Sequence, residues 1–276
     1  MTDLPKLTIL LGPQTRMAFA LNAHIRENRP YLTGKGMTVL PSRLASPLVR
    51  RALDGRPLDE RKAEFDEAVK NQPAVLAAIN LLGPPHAGLV KGELFPDAEV
   101  SLAGLDPIVG DARIVMAIEP LPTFFLAAPS DPLEDRVRRT PWEVLYELSW
   151  FELLSELVEL LPVASFLVVT GARQSLDVAA LSRRLLGDES ERVPQPYILL
   201  RHLISETGHA VLDRMVERGT PDAETLTDLY QSFAVRPTLL DLRDRLGIDK
   251  TTAILLEQRF EEDLENIAKL PRVEVL

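Results

Sequence analysis

Cysteine is absent from the 276 residues, which excludes disulfides, thiolate metal sites and a cysteine nucleophile. Histidine is scarce: His24, His86, His202 and His209 are scattered and form no HExxH or HxH pair, so no metal site is expected. No apolar run approaches the roughly 18 residues of a spanning helix, so no membrane association is expected. The opening apolar run, Leu7 to Leu11, has the length of a strand rather than of a secretory leader, and the expected compartment is the cytoplasm. Positive charge is outweighed, with a net charge of −10, which argues against nucleic acid or an anionic membrane surface as a partner. No low-complexity tract or Gly/Ser linker divides the chain.

What is present is an alternation of apolar runs and amphipathic stretches. Leu7–Leu11, Met37–Leu40, Ala74–Ile79, Arg113–Ile118 and Ser165–Thr170 read as buried strands. Helices are expected at 18–28, 47–53, 60–70 and 96–105, and from Trp142 to Leu161 with a break near Ser149. Thr140 is read as the cap of that last helix and Pro141 as its first residue. Within it, Trp142, Trp150 and Phe151 are assigned to the core. Such an order predicts an α/β fold: three layers, α/β/α, around a mainly parallel sheet of about five strands. After residue 173 the pattern is helical, at 176–186, 197–218, 222–233, 238–246 and 251–270, with Val273–Leu276 as a short edge strand. The whole chain, 1–276, is therefore expected to be one domain, with a sheet core at 1–173 and a mostly helical subregion at 174–276.

In a parallel sheet the turn after the first strand is the natural anion site, because helix N-termini offer free N–H groups. Here it reads Gly12-Pro-Gln-Thr-Arg-Met-Ala18, with no GxxxxGK[ST] motif and no GxGxxG. Gly34-Lys35-Gly36 is no substitute, since it precedes a strand rather than a helix. A nucleoside triphosphatase is thereby excluded.

Five stretches then follow in a familiar order: ILLGPQTRMAFALNAHIRENRPYLTGKGMTVLP, NLLGPPHAGLVKGELFPDA, ARIVMAIEPLPTFFLAA, SWFELLSELVELLPVASFLVV and LEQRFEEDLENIAKLPRVEVL. Through them nearly the whole chain resembles bacterial sulfotransferase-like proteins of the P-loop superfamily. The resemblance implies their fold and a site for 3′-phosphoadenosine 5′-phosphosulfate (PAPS) or the product 3′,5′-bisphosphate (PAP). It also implies which residues stand where the family's chemistry is done. Of the family's GxHKTGTT loop, Gly12 keeps the glycine, Gln14 and Thr15 replace His-Lys, and Arg16, Met17, Ala18 and Phe19 replace Thr-Gly-Thr-Thr. Thr15 lacks the lysine's full charge. Arg16, with its planar fork of donors, is left as a candidate phosphate partner, against the plainer reading of a solvated arginine at a helix start. The cofactor-binding candidates are thus Gly12, Gln14, Thr15 and Arg16. The family's candidate base positions fall on Ala78 and Ile79, which cannot take a proton. Its 3′-phosphate positions, arginine and serine, fall on Glu119 and Ala127, and the first exchange reverses charge. Met17 and Phe19 are expected to project into or close the phosphate cleft.

Other polar residues invite plainer readings. His86 reads as a loop histidine, with a base facing a ligand as the alternative, and Lys35 and Lys91 read as surface lysines, with a phosphate ligand swung into the cleft as the alternative. Glu257, Glu261, Glu262, Asp263 and Glu265 form a solvated helix face, and Arg173-Gln174 is a polar pair at the end of the fifth strand. Three functions compete: a divergent, non-catalytic pseudoenzyme acting as a binding or scaffold module for a small molecule or protein, an active PAPS-dependent sulfotransferase rebuilt on Arg16, Lys35 or Arg43, and another small-molecule transferase using the same cleft.

Overall fold

The computed structural model describes residues 6–40, 63, 66, 67, 69, 73–103, 112–127, 131–170, 178–186 and 193–276. The expected helix at 47–53, most of that at 60–70, the end of that at 96–105, and Arg43, Arg173 and Gln174 lie outside them.

Strand β1 (Leu7–Leu11) leads into helix α1 (Arg16–Glu27), and α2 (Arg29–Gly34) follows at once before β2 (Thr38–Leu40). Next come β3 (Ala74–Ala78), α3 (Ala98–Ala103), β4 (Arg113–Ile118), α4 (Leu121–Ala127), α5 (Asp131–Arg139), α6 (Trp142–Glu147), α7 (Trp150–Leu160) and β5 (Ser165–Thr170). The remainder is α8 (Val178–Leu186), α9 (Ile198–Leu203), α10 (Glu206–Arg218), α11 (Ala223–Phe233), α12 (Leu239–Asp241), α13 (Lys250–Ile267) and β6 (Val273–Val275). A π-helical turn at Leu242–Leu246 continues α12. The six strands form one sheet in the order β2-β3-β1-β4-β5-β6, and every pairing is parallel. This is the predicted α/β fold, with the last strand pairing beside β5.

Both faces of the sheet are covered, which is why its central strands read as continuous apolar runs. Ile9, Leu11, Ile114, Met116, Phe166 and Val168 pack into one core with α3, α4 and α7. Leu10, Val115, Ala117, Leu167 and Val169 pack into the other, against α1, α8 and α9. Phe124, Trp150 and Phe95 anchor the first core, with the Phe124 and Trp150 rings edge to face at 5.3 Å.

Several helix ends differ from expectation. The sequence suggests one helix over 197–218, but Ile204 leaves it to bridge Ala234 and Ser205 starts α10 by accepting the Gly208 N–H (3.3 Å). Serine and aspartate oxygens cap helices in this way because the first-turn N–H groups lack intrahelical partners. The break near Ser149 is present: Leu148 and Ser149 are extended, and the Ser149 hydroxyl accepts the Glu152 N–H of α7 (3.2 Å). Thr140 is no cap, since its hydroxyl donates to the Arg136 carbonyl (2.8 Å), and Pro141 stands just before α6 rather than inside it. Trp150 is buried as expected, Phe151 is half-buried, and Trp142 is 48% exposed, contrary to its core assignment. The chain end is fixed by Arg272, whose guanidinium donates to the Val158, Leu161 and Ala164 carbonyls at and beyond the α7 C-terminus. A cation there meets the negative end of the helix dipole.

Candidate functional site

Chain order reverses about β1: its own connection runs to β2, beyond β3 on one side, while the connection leaving β3 passes to β4 on the other. Ligands of open parallel sheets bind outside the strand ends at such a point. The residues that meet there are the first turn, 12–18, and Glu119-Pro120 at the end of β4.

The turn is closed from inside. Thr15 is wholly buried; its hydroxyl donates to the Ala117 carbonyl on β4 (3.0 Å) and accepts the Ala18 N–H (3.0 Å). Its oxygen therefore caps α1 and ties it to the sheet. Glu119 turns toward the same helix end and accepts the Met17 N–H on Oε1 (3.1 Å). Its backbone carbonyl is held by the Trp150 indole N–H (2.9 Å). A side chain of the protein thus occupies the place where a helix N-terminus would receive an external anion.

Glu119 is only 5% exposed, and its Oε2 is buried with no hydrogen-bond partner among the described residues. Burial pushes its carboxyl up to about 7, against the opposing effects of the Met17 N–H and the Arg16 charge. Tyr230, also buried, is pushed up to about 12, again by burial.

Beside this carboxyl lies a cavity of about 200 Å³, lined on its polar side by Arg16, Glu119, Thr123, Tyr230, Arg236 and Glu257. Met17, Pro120 and Leu203 supply apolar wall. Met17 is fully buried and does line this cavity; Phe19 is half-buried and is not part of its wall.

The other candidate positions are dispersed. Gln14 is half-buried in the turn, and Arg16 is half-buried at the cavity wall. Ala78, Ile79 and Asn80 line a different cavity, about 330 Å³, with Asn22, Arg26 and Arg29 at the ends of β2 and β3. Ala127 ends α4 and is not in either lining. Lys35, at the C-terminal cap of α2, lies over the Tyr31 ring at 5.6 Å. No cluster of three or more histidine, cysteine or acidic residues among the described residues could hold a metal ion, and none of their helices is long and apolar enough to cross a membrane.

Gly12 has a packing reason of its own. A Cβ built there would lie 2.0 Å from the Ile79 carbonyl oxygen, so β1 and the turn after β3 touch backbone to backbone. Gly12→Ala must push these segments apart, and overpacking of this kind costs about 2 kcal/mol. Urea denaturation would show the loss; an unchanged midpoint would mean that the contact is slack.

The acidic stripe on α13 is less uniform than its sequence suggests. Glu261, Glu262 and Glu265 are exposed as expected, and Glu257 is exposed at the cavity mouth. Asp263 is instead buried and accepts the Ser149 hydroxyl (2.8 Å) and the Trp150 N–H (2.7 Å). Arg236 and Tyr230 were not singled out by any motif; they reach the site only because α11 and the segment after it fold over the end of β4.

Comparison with protein-family models, curated proteins and solved structures finds no match to this chain.

Proposed function

We propose that the chain is a sulfotransferase-like α/β module that binds a small molecule without carrying out transfer from a nucleotide donor. One observation carries the reading: the Glu119 carboxyl, accepting the Met17 N–H, fills the helix terminus that a donor phosphate would need. Three further features support it. Thr15, at the position of the family's lysine, spends its oxygen inside the fold. The cavity of about 200 Å³ is smaller than the roughly 300–1,000 Å³ typical of drug-sized ligands. A dianionic 3′-phosphate placed by Glu119 would meet a carboxylate, and like charges repel. The competing reading, an active PAPS-dependent sulfotransferase, requires a rebuilt cationic donor site. Of the described residues offered for it, Arg16 lines this cavity and Lys35 lies at the end of α2.

The test is thermal unfolding of the wild-type protein with adenosine 3′,5′-bisphosphate. At about 1 mM the expected shift is nil, whereas a ligand used at micromolar levels would add several kcal/mol by mass action. Saturable stabilisation would overturn the reading in favour of a donor-using enzyme.

A further inference from the structure

We propose that the cavity between the first turn and the end of β4 binds a small zwitterion, a molecule carrying a primary ammonium and a carboxylate a few atoms apart. This deepens, and rests on, the reading of the site as a binding module without a nucleotide donor.

Two carboxylates, Glu119 and Glu257, and two guanidinium groups, Arg16 and Arg236, line the same cavity. Neither arginine forms a salt bridge among the described residues. A simple anion would be drawn to the arginines but would face both glutamates, and a simple cation would meet the reverse. A ligand with both signs satisfies both halves and adds no net charge.

The acceptor for the ammonium is specified more closely. Among the described residues Oε2 of Glu119 is buried without a donor, while Oε1 is already held by Met17. Buried polar atoms of folded proteins are as a rule paired, and one left over in a cavity wall marks where a ligand donor is accommodated. A charge-assisted N–H to this oxygen would be the strongest polar contact the cavity offers. The Arg16 and Arg236 forks suit a carboxylate, and the apolar wall leaves room for a short aliphatic part. Among the described residues the cavity of about 330 Å³ near β2 and β3 has no carboxylate in its lining: its polar residues there are Asn22, Arg26, Arg29 and Asn80.

The experiment is a thermal-shift screen of the full chain against the twenty protein amino acids and 4-aminobutyrate, each at about 10 mM, followed by calorimetry of the best binder. Each binder is compared with its des-amino acid and its decarboxylated amine. Saturable binding is expected for at least one amino acid, with each half-molecule weaker by about tenfold or more. Glu119→Gln keeps an acceptor for the Met17 N–H and should weaken binding by about tenfold through loss of charge. Arg236→Gln, at an exposed position after α11, should do the same without disturbing the core, and so stands in should the Glu119 variant fail to fold. Silence of the whole panel overturns the proposal, as does a half-molecule binding as well as the zwitterion. Unchanged affinity in either folded variant also overturns it. Binding of adenosine 3′,5′-bisphosphate would instead overturn the underlying reading of the site, so the two failures are told apart.

Discussion

Glu119→Gln should change how stability depends on pH, gaining about 3 kcal/mol relative to wild type between about pH 4 and about pH 8. The carboxyl titrates near 4.5 in the unfolded chain and at about 7 in the fold. Below both values it is neutral in both states and costs no charge burial. As pH rises through this window the unfolded chain ionises first, and the folded state progressively loses stability. Glutamine carries no charge at any pH, so its curve lacks that loss. Its amide nitrogen inherits the unpartnered Oε2 position, which is why the change in the difference between the curves is the quantity to compare, not one absolute value.

A second buried group makes the expected curves distinctive. His24 is fully buried, and burial lowers its imidazole from 6.5 to about 4. Its folded value is depressed, so its contribution is complete above pH 6.5 and is lost as pH falls toward 4. The two slopes oppose each other over nearly the same range. Wild type should therefore look almost flat there, and Glu119→Gln should reveal the rise due to His24. Urea titrations at several pH values measure this directly; parallel curves would contradict it.

Asp263→Ala should cost about 4 kcal/mol, among the largest effects of any single substitution here. Asp263 accepts the Ser149 hydroxyl and the Trp150 N–H, joining α13 to the start of α7. Truncation leaves the Trp150 N–H, at a residue 1% exposed, without its acceptor. The effect extends beyond stability, because the Trp150 indole holds the Glu119 carbonyl. A chain of contacts thus runs from the last helix to the first turn: Asp263 to Trp150, Trp150 to Glu119, Glu119 to Met17. Asp263→Asn, which keeps one acceptor oxygen, should fall between. A loss below about 0.5 kcal/mol for the alanine variant would return Asp263 to the solvated face that its sequence setting suggests.

The strands were readable because a strand buried on both faces must be apolar throughout. Arg113–Ile118 and Ser165–Thr170 begin and end where the sequence places them. Helix ends were less readable. Ile204 looks like a helical core residue, and only its bridge to Ala234 takes it out of the helix. Helices α4 and α5 carry no clear periodic signal, because Pro122 stands second in one and charged residues fill much of the other. The site was legible only on one side. Its first turn follows from β1, but the inward direction of Glu119 depends on β4 lying beside β1, in a register pairing Ile9 with Ile114. In sequence Glu119 is a carboxylate before Pro120 with no local sign of its direction; in the fold it accepts the Met17 N–H at the start of α1. Glu257, on a stripe that is otherwise solvated, reaches the site only through the packing of α13, and no local pattern reports that.

The most direct measurement is a pH titration by NMR that follows the Glu119 side-chain carboxyl carbon and the Met17 amide proton together. If the carboxyl is the internal cap of α1, the carbon titrates near pH 7 and the amide proton shifts with the same midpoint. A Glu119 carbon titrating near its ordinary 4.5, with a Met17 amide indifferent to it, would contradict the account.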